Sequence, residues 1–240
     1  MTCPPPAPPP SLSTAKRLSS LGRRPALDDP RSLPEASSPT LAEVFPATAT
    51  DGAGPGFVAA HLTGTAPRPV LWVQDRMSLR EAGRPYLAGF PDPPELLCLV
   101  VSRAVDVLWA LEQGLGCSGL SAVVGEVWGN PPVLDFTATK RLALRAEAHG
   151  CPAWLIRRGA EADLSAARER WRIGSLPSLS EPDDTRAPGA PQWRAELFRA
   201  RWRPPGDWVV RHEAGKLVYE HGVARPATEE PARPARQMAG

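Results

Sequence analysis

No lysine occurs between Lys16 and Lys140. That gap removes the side chain that grips the β- and γ-phosphates in the common nucleotide-binding loop. Cysteine is sparse: Cys3, Cys98, Cys117 and Cys151 are scattered with no C-x-x-C pair. His61, His149, His212 and His221 show no ligand-like spacing to one another or to the cysteines, so a zinc site is not expected. Long apolar runs are missing too: no window approaches the ~18 residues of a membrane span. The start, Met1-Thr2-Cys3-Pro4-Pro5-Pro6, carries no apolar leader segment. A cytoplasmic protein is expected, with Cys98 and Cys151 as buried thiols beside apolar strands. Neither sign of charge dominates, since the net charge is +2. A nucleic-acid role would therefore need a local basic patch.

Proline is plentiful instead, with 30 residues, and eight tryptophans stand against two tyrosines. At 240 residues the chain has room for one domain with flanking segments. Residues 1–40 are rich in Pro, Ser and Ala, with one weak helical patch around residues 12–21, and are expected to lack fixed structure. Residues 41–222 read as the folded domain. Residues 223–240 form a Pro/Arg-rich tail in which Arg225, Arg233 and Arg236 are either a partner-binding segment or a solubilising one.

The domain alternates. Four continuous apolar runs read as strands: Val70-Leu71-Trp72-Val73, the run 96–101, the run 120–124, and Ala153-Trp154-Leu155-Ile156. Between them, residues 101–116 read as a helix capped by Ser102, with an apolar stripe of Val105, Leu108, Trp109, Leu111 and Leu115 and a left-handed Gly116 at its end. A second helix starts at Asp135 or Thr137 and ends at His149-Gly150. Strand–helix–strand spacing implies parallel strands joined by right-handed crossovers, buried on both faces. The fold class is α/β. After residue 156 the pattern changes to period-two segments at 170–176, 192–203, 208–211 and 216–219, which imply an antiparallel meander appended to the parallel sheet.

Several segments together carry a resemblance. They are Leu41-Ala42-Glu43-Val44-Phe45, Pro69-Val70-Leu71-Trp72-Val73, Glu95-Leu96-Leu97-Cys98-Leu99-Val100, Asp106-Val107-Leu108-Trp109-Ala110-Leu111-Glu112 and Gly119-Leu120-Ser121-Ala122-Val123-Val124-Gly125-Glu126-Val127. Thr137-Ala138-Thr139-Lys140-Arg141-Leu142, Arg170-Trp171-Arg172-Ile173 and the segment 189–197 continue it. In this order they resemble the bacterial ImuA family, over roughly residues 40–213. The resemblance implies a RecA-like core and a place in an error-prone translesion synthesis complex that drives damage-induced (SOS) mutagenesis. The implied partners are a Y-family polymerase-like subunit and an error-prone replicative-type polymerase, with a RecA filament as a further contact.

The loop before the first crossover helix decides between a motor and a scaffold. A working phosphate loop needs free amides at a helix N-terminus, a lysine and a hydroxyl for magnesium. Asp51-Gly52-Ala53-Gly54-Pro55-Gly56 supplies Gly52, Gly54 and Gly56, but Pro55 has no amide and Asp51 repels phosphate. The expectation is a turn leading into a helix over residues 57–62. By resemblance to active RecA-type proteins, a catalytic glutamate would follow residue 73, where Gln74-Asp75 stands, and Gly125 takes the place of the magnesium-linked aspartate. Glu126, next in line, sits where open parallel sheets bind ligands, or simply pairs with a nearby arginine. The site Asp51, Gly52, Gly54, Gly56 and Glu126 is thus expected to be vestigial, with no catalytic residue, no metal and no cofactor.

One surface remains as a candidate for partners or DNA. Period-two alternation through 193–203 would place Arg199, Arg201 and Arg203 on one face and Phe198, Ala200 and Trp202 on the other. With Arg194, this arginine row beside aromatics suits single-stranded DNA or an acidic protein partner, or is the solvated side of an edge strand. Two other functions stay open: a RecA-type ATPase that uses ATP and magnesium through a divergent loop, and a SulA-like cell-division inhibitor.

Overall fold

In the computed structural model the described residues are 39–63, 68–87, 92–181, 183–184, 186–213 and 215–221. The expectations for residues 1–38 and for the tail lie outside them. Nine strands form one sheet: β1 (Leu41–Pro46), β2 (Val70–Asp75), β3 (Leu96–Val101), β4 (Ala122–Trp128), β5 (Ala153–Arg158), β6 (Glu169–Leu176), β7 (Gln192–Ala200), β8 (Gly206–Glu213) and β9 (Lys216–His221). Four helices occur among the described residues: α1 (Ala53–Leu62), α2 (Arg76–Ala82), α3 (Ala104–Leu115) and α4 (Phe136–His149). The strand order is β3-β2-β4-β5-β1-β6-β7-β8-β9. β3 through β6 pair in parallel. β6 to β9 continue as an antiparallel meander. The α/β architecture read from the sequence is the one observed.

The direction of each crossover sets the layers. β1 to β2 runs toward the β3 edge, whereas β3 to β4 to β5 runs back. Right-handed connections travelling in opposite directions place their helices on opposite faces. α1 accordingly packs with Val44, Trp72, Val124, Ile156 and Trp171 on one face. α3 and α4 pack with Leu41, Val73, Val123, Val127 and Leu155 on the other. The reversal opens a crevice at the C-terminal ends of β1, β4 and β5, and the candidate site lies there.

Phe57 organises the α1 face. Its ring meets Trp154, Trp171 and Trp193 with centroids 6.4, 5.4 and 6.2 Å away. Trp171, Trp193 and Trp208 are buried, so the meander's tryptophans act as core, and Trp202 alone of that group is exposed. On the opposite face Gly114 and Gly125 let α3 lie against the sheet. A Cβ on Gly114 would sit 2.7 Å from Leu71, and one on Gly125 would sit 2.7 Å from Leu111.

Several local expectations are corrected. α3 begins at Ala104 with Arg103 at its N-cap position and no side-chain cap, so Ser102 does not cap it. Its buried stripe is Val107, Leu108, Ala110, Leu111 and Leu115, while Val105 and Trp109 face outward, Trp109 at 64% exposure. Gly116 has φ −82°, not a left-handed value. By contrast, Asp135 accepts the Ala138 amide at 2.7 Å and Gly150 closes α4 at φ 62°. Cys98 is exposed because β3 is an edge strand, while Cys151 is buried. Among the described residues no helix is long and apolar enough to cross a membrane.

Candidate functional site: a crevice at the first helix's N-terminus

The glycine-rich segment is not a loop ahead of a helix but the helix's first turn. α1 starts at Ala53, so Gly54, Pro55 and Gly56 all lie within it. The Asp51 carboxylate accepts the Ala53 amide at 2.8 Å and, from β6, the Ser175 hydroxyl at 2.6 Å and the Ser175 amide at 3.2 Å. An anion bound at this helix end would need those donors, and Asp51 already holds one of them. Pro55 offers no amide in the same turn. Gly54 is required for a different reason: a Cβ there would lie 2.8 Å from Pro46 of β1. Gly52 has open space around it.

Glu126 lies beneath this turn and is fully buried. Its carboxylate accepts Trp72 Nε1 at 2.6 Å, Gln74 Nε2 at 3.1 Å and Arg158 Nε at 2.6 Å. Desolvation raises its pKa, and the Arg158 charge and hydrogen bonds oppose that rise. Arg158 also donates Nη1 to the carbonyls of Ala49 and Asp51, at 3.0 and 3.2 Å. The cation nearest the turn is therefore committed to a carboxylate below and two carbonyls above. Of the two readings left open for Glu126, the arginine pair is the geometry found.

Asp75, aligned with the water-orienting position by the sequence resemblance, is a structural cap. It accepts the Ser78 amide at 2.7 Å and the Trp128 amide at 2.8 Å. Gly125 faces α3, so a carboxylate there would run into Leu111 and Val107 and away from the crevice. These side chains do not fit a magnesium–triphosphate complex: Asp51 holds the Ala53 amide and sets a carboxylate at the helix end, Pro55 has no amide, and the neighbouring arginine is engaged with Glu126. A cleft of about 780 Å³ opens beside the turn, lined by Gly56, Arg84, Tyr86, Ser175, Trp193 and His212 among others.

A second buried charge cluster occupies the other face, and sequence reasoning missed it. Glu43 of β1 is fully buried and accepts Arg170 Nε at 2.7 Å and Arg157 Nη1 at 3.5 Å. Arg157 also donates to Asn130 at 2.9 Å. Arg170 lies over the edge-to-face pair of Phe45 and Phe198, 5.2 and 5.3 Å from their centroids. The signal was present as single charges inside apolar strands: Glu43 within 41–46, and Arg157-Arg158 after 153–156.

The basic row does not persist. β7 ends at Ala200, and a bulge opposite Arg170/Trp171 leaves Phe198 as its extra residue. Arg203 turns back, bonding Glu169 at 2.5 Å over the Trp171 ring. Arg194 pairs with Asp207 at 2.9 Å. Arg199 and Arg201 are exposed, and Arg201 lies 5.7 Å from the ring centroid of the exposed Trp202. Phe198 is half-buried against Phe45 and Arg172. The strand end thus offers two arginines and one tryptophan rather than a ladder of three arginines.

No family model matches the chain. Two Caulobacter vibrioides proteins, from strains NA1000 / CB15N and ATCC 19089 / CIP 103742 / CB 15, both named Protein ImuA, are each 35% identical to it over 180 residues. The matched region covers 68% of this chain and 70% of each relative. With that identity over that span, and with the alternating sheet the resemblance implied, the chain belongs to the ImuA family.

Proposed function

We propose that this chain is a RecA-like domain without ATPase chemistry that acts as an accessory or scaffold in an error-prone translesion synthesis complex. The observation that carries the non-catalytic reading is Asp51: its carboxylate takes the helix amide and ties the turn to Ser175. With Arg158 bound to Glu126, no lysine between Lys16 and Lys140 and no amide on Pro55, phosphoryl transfer lacks its charge-stabilising groups. Family membership supports the mutagenesis role. The partners would be a Y-family polymerase-like subunit and an error-prone replicative-type polymerase in the cytoplasm, under SOS control. A RecA filament or single-stranded DNA would meet the exposed Arg199, Arg201 and Trp202.

Complementation of a deletion strain tests this reading. The intact chain should restore damage-induced mutation frequency, and it should capture the polymerase-like subunit from nucleotide-depleted extract as well as with ATP added. Failure to restore mutagenesis, or capture that requires ATP, would overturn it.

A further inference from the structure

β3 is the edge strand at the parallel end of the sheet, and it is undefended. Its residues Leu96-Leu97-Cys98-Leu99-Val100-Val101 carry no charge. Leu97, Leu99 and Val100 remain 46%, 41% and 36% exposed, and Cys98 is exposed. Edge strands of monomers usually carry a lysine, a proline or a bulge that blocks further pairing; β3 has none of these in its register with β2. The ladder with β2 begins with the Val70 amide on the Glu95 carbonyl at 2.8 Å. Alternation along a parallel pair then turns the backbone groups of Leu97, Leu99 and Val101 toward β2. Those of Leu96, Cys98 and Val100 point outward.

The two ends of the strand differ in charge. Asp92 and Glu95 are exposed just before it and form no ion pair among the described residues. Arg103 is exposed just after it, beside Asp106 at 2.8 Å. A segment that is acidic at its start and basic at its end complements its own reverse.

We propose that β3 pairs antiparallel with β3 of a second copy of this chain, about a two-fold axis at Cys98. Outward-facing residues must meet outward-facing residues, and this register satisfies that condition. Cys98 meets the partner's Cys98, and Leu96 meets the partner's Val100. Leu97 packs against the partner's Leu99 on the α3 side. Arg103 comes to the stretch between the partner's Asp92 and the partner's Glu95. The contact is isologous, as two-fold dimers require, and it joins two nine-stranded sheets into one. It is independent of the crevice and of the proposed role in mutagenesis.

The opposed cysteines provide the test. Facing residues of a hydrogen-bonded antiparallel pair have Cα atoms about 5.5 Å apart, inside the ~4.4–6.8 Å range of disulfides. The full chain carrying Cys98 as its sole cysteine should sediment as a dimer and be cross-linked by diamide. Val100→Pro removes an outward amide and no bond to β2. It should weaken the dimer at least about tenfold while circular dichroism stays native, and Leu97→Glu should do the same. A monomer at roughly 100 µM, a dimer that survives both substitutions, or one that does not cross-link through Cys98 would overturn the proposal. So would a monomer that instead takes up an extended apolar peptide.

Discussion

Arg158 Nε lies 2.6 Å from Glu126 Oε2, and both side chains are buried at the C-terminal ends of neighbouring parallel strands. The pair fixes the floor of the crevice, and the same guanidinium holds the Ala49 and Asp51 carbonyls above it. Breaking one partner of such a pair strands a buried charge, at a cost of about 3–5 kcal/mol. Arg158→Met should therefore lower urea stability by that amount. The double variant Glu126→Leu/Arg158→Met should recover much of the loss, because no charge is then left unpaired. A double variant as unstable as the single one would show that the loop contacts, not the ion pair, carry the energy.

Gly125 is held by packing. Its added Cβ would meet Leu111 at 2.7 Å, Val107 at 3.1 Å and Leu155 at 3.3 Å. Gly125→Ala should cost about 1–3 kcal/mol through overpacking, and Gly125→Asp more, since the carboxylate would be buried without a partner. Thermal unfolding checks both. An unchanged melting temperature for Gly125→Asp would mean that α3 does not press on the sheet there.

Much of this could be read from the chain and some could not. The parallel core was legible because strands covered on both faces are continuously apolar, and α4 because Asp135 and Gly150 mark its ends. β1 was obscured because Glu43 interrupts its apolar run, and the arginines that neutralise Glu43 come from β5 and β6, 114 and 127 residues away. Exposure of β3 was hidden for a related reason. Its composition matches the buried strands, and only strand order puts it at the edge. The stripe of α3 differs because its buried face is completed by the small Ala110 and Gly114 with Val107, leaving the larger Val105 and Trp109 on the outward side. The arginine row failed at a bulge, a feature that alternation alone does not announce.

His61 gives stability a pH dependence. Its Nδ1 lies 2.8 Å from the Phe57 carbonyl and its Nε2 lies 2.8 Å from the Tyr219 hydroxyl, which fits a neutral ring. Burial, above all, lowers its pKa to about 4. The unfolded chain takes up a proton near pH 6.5 and the folded chain resists it, so the contribution is complete above that pH. It is lost as pH falls toward 4, by roughly 2 kcal/mol. Urea midpoints between pH 7 and 4.5 should show the decline. His61→Gln should flatten it, and a variant with the same slope would assign the dependence elsewhere.

Removing the Phe57 ring should cost about 3–5 kcal/mol, because it joins α1 to Trp154, Trp171 and Trp193. Equilibrium unfolding of Phe57→Ala checks this. A loss below ~1 kcal/mol would mean that the tryptophans close over the gap.

The central claim is that this crevice keeps the position of a nucleotide site while Asp51, Arg158 and Glu126 occupy it. Calorimetric titration of the full chain with magnesium-ATP tests it most directly. The expected result is no saturable heat up to millimolar nucleotide. Saturable binding that vanishes in Gly56→Glu would contradict the account.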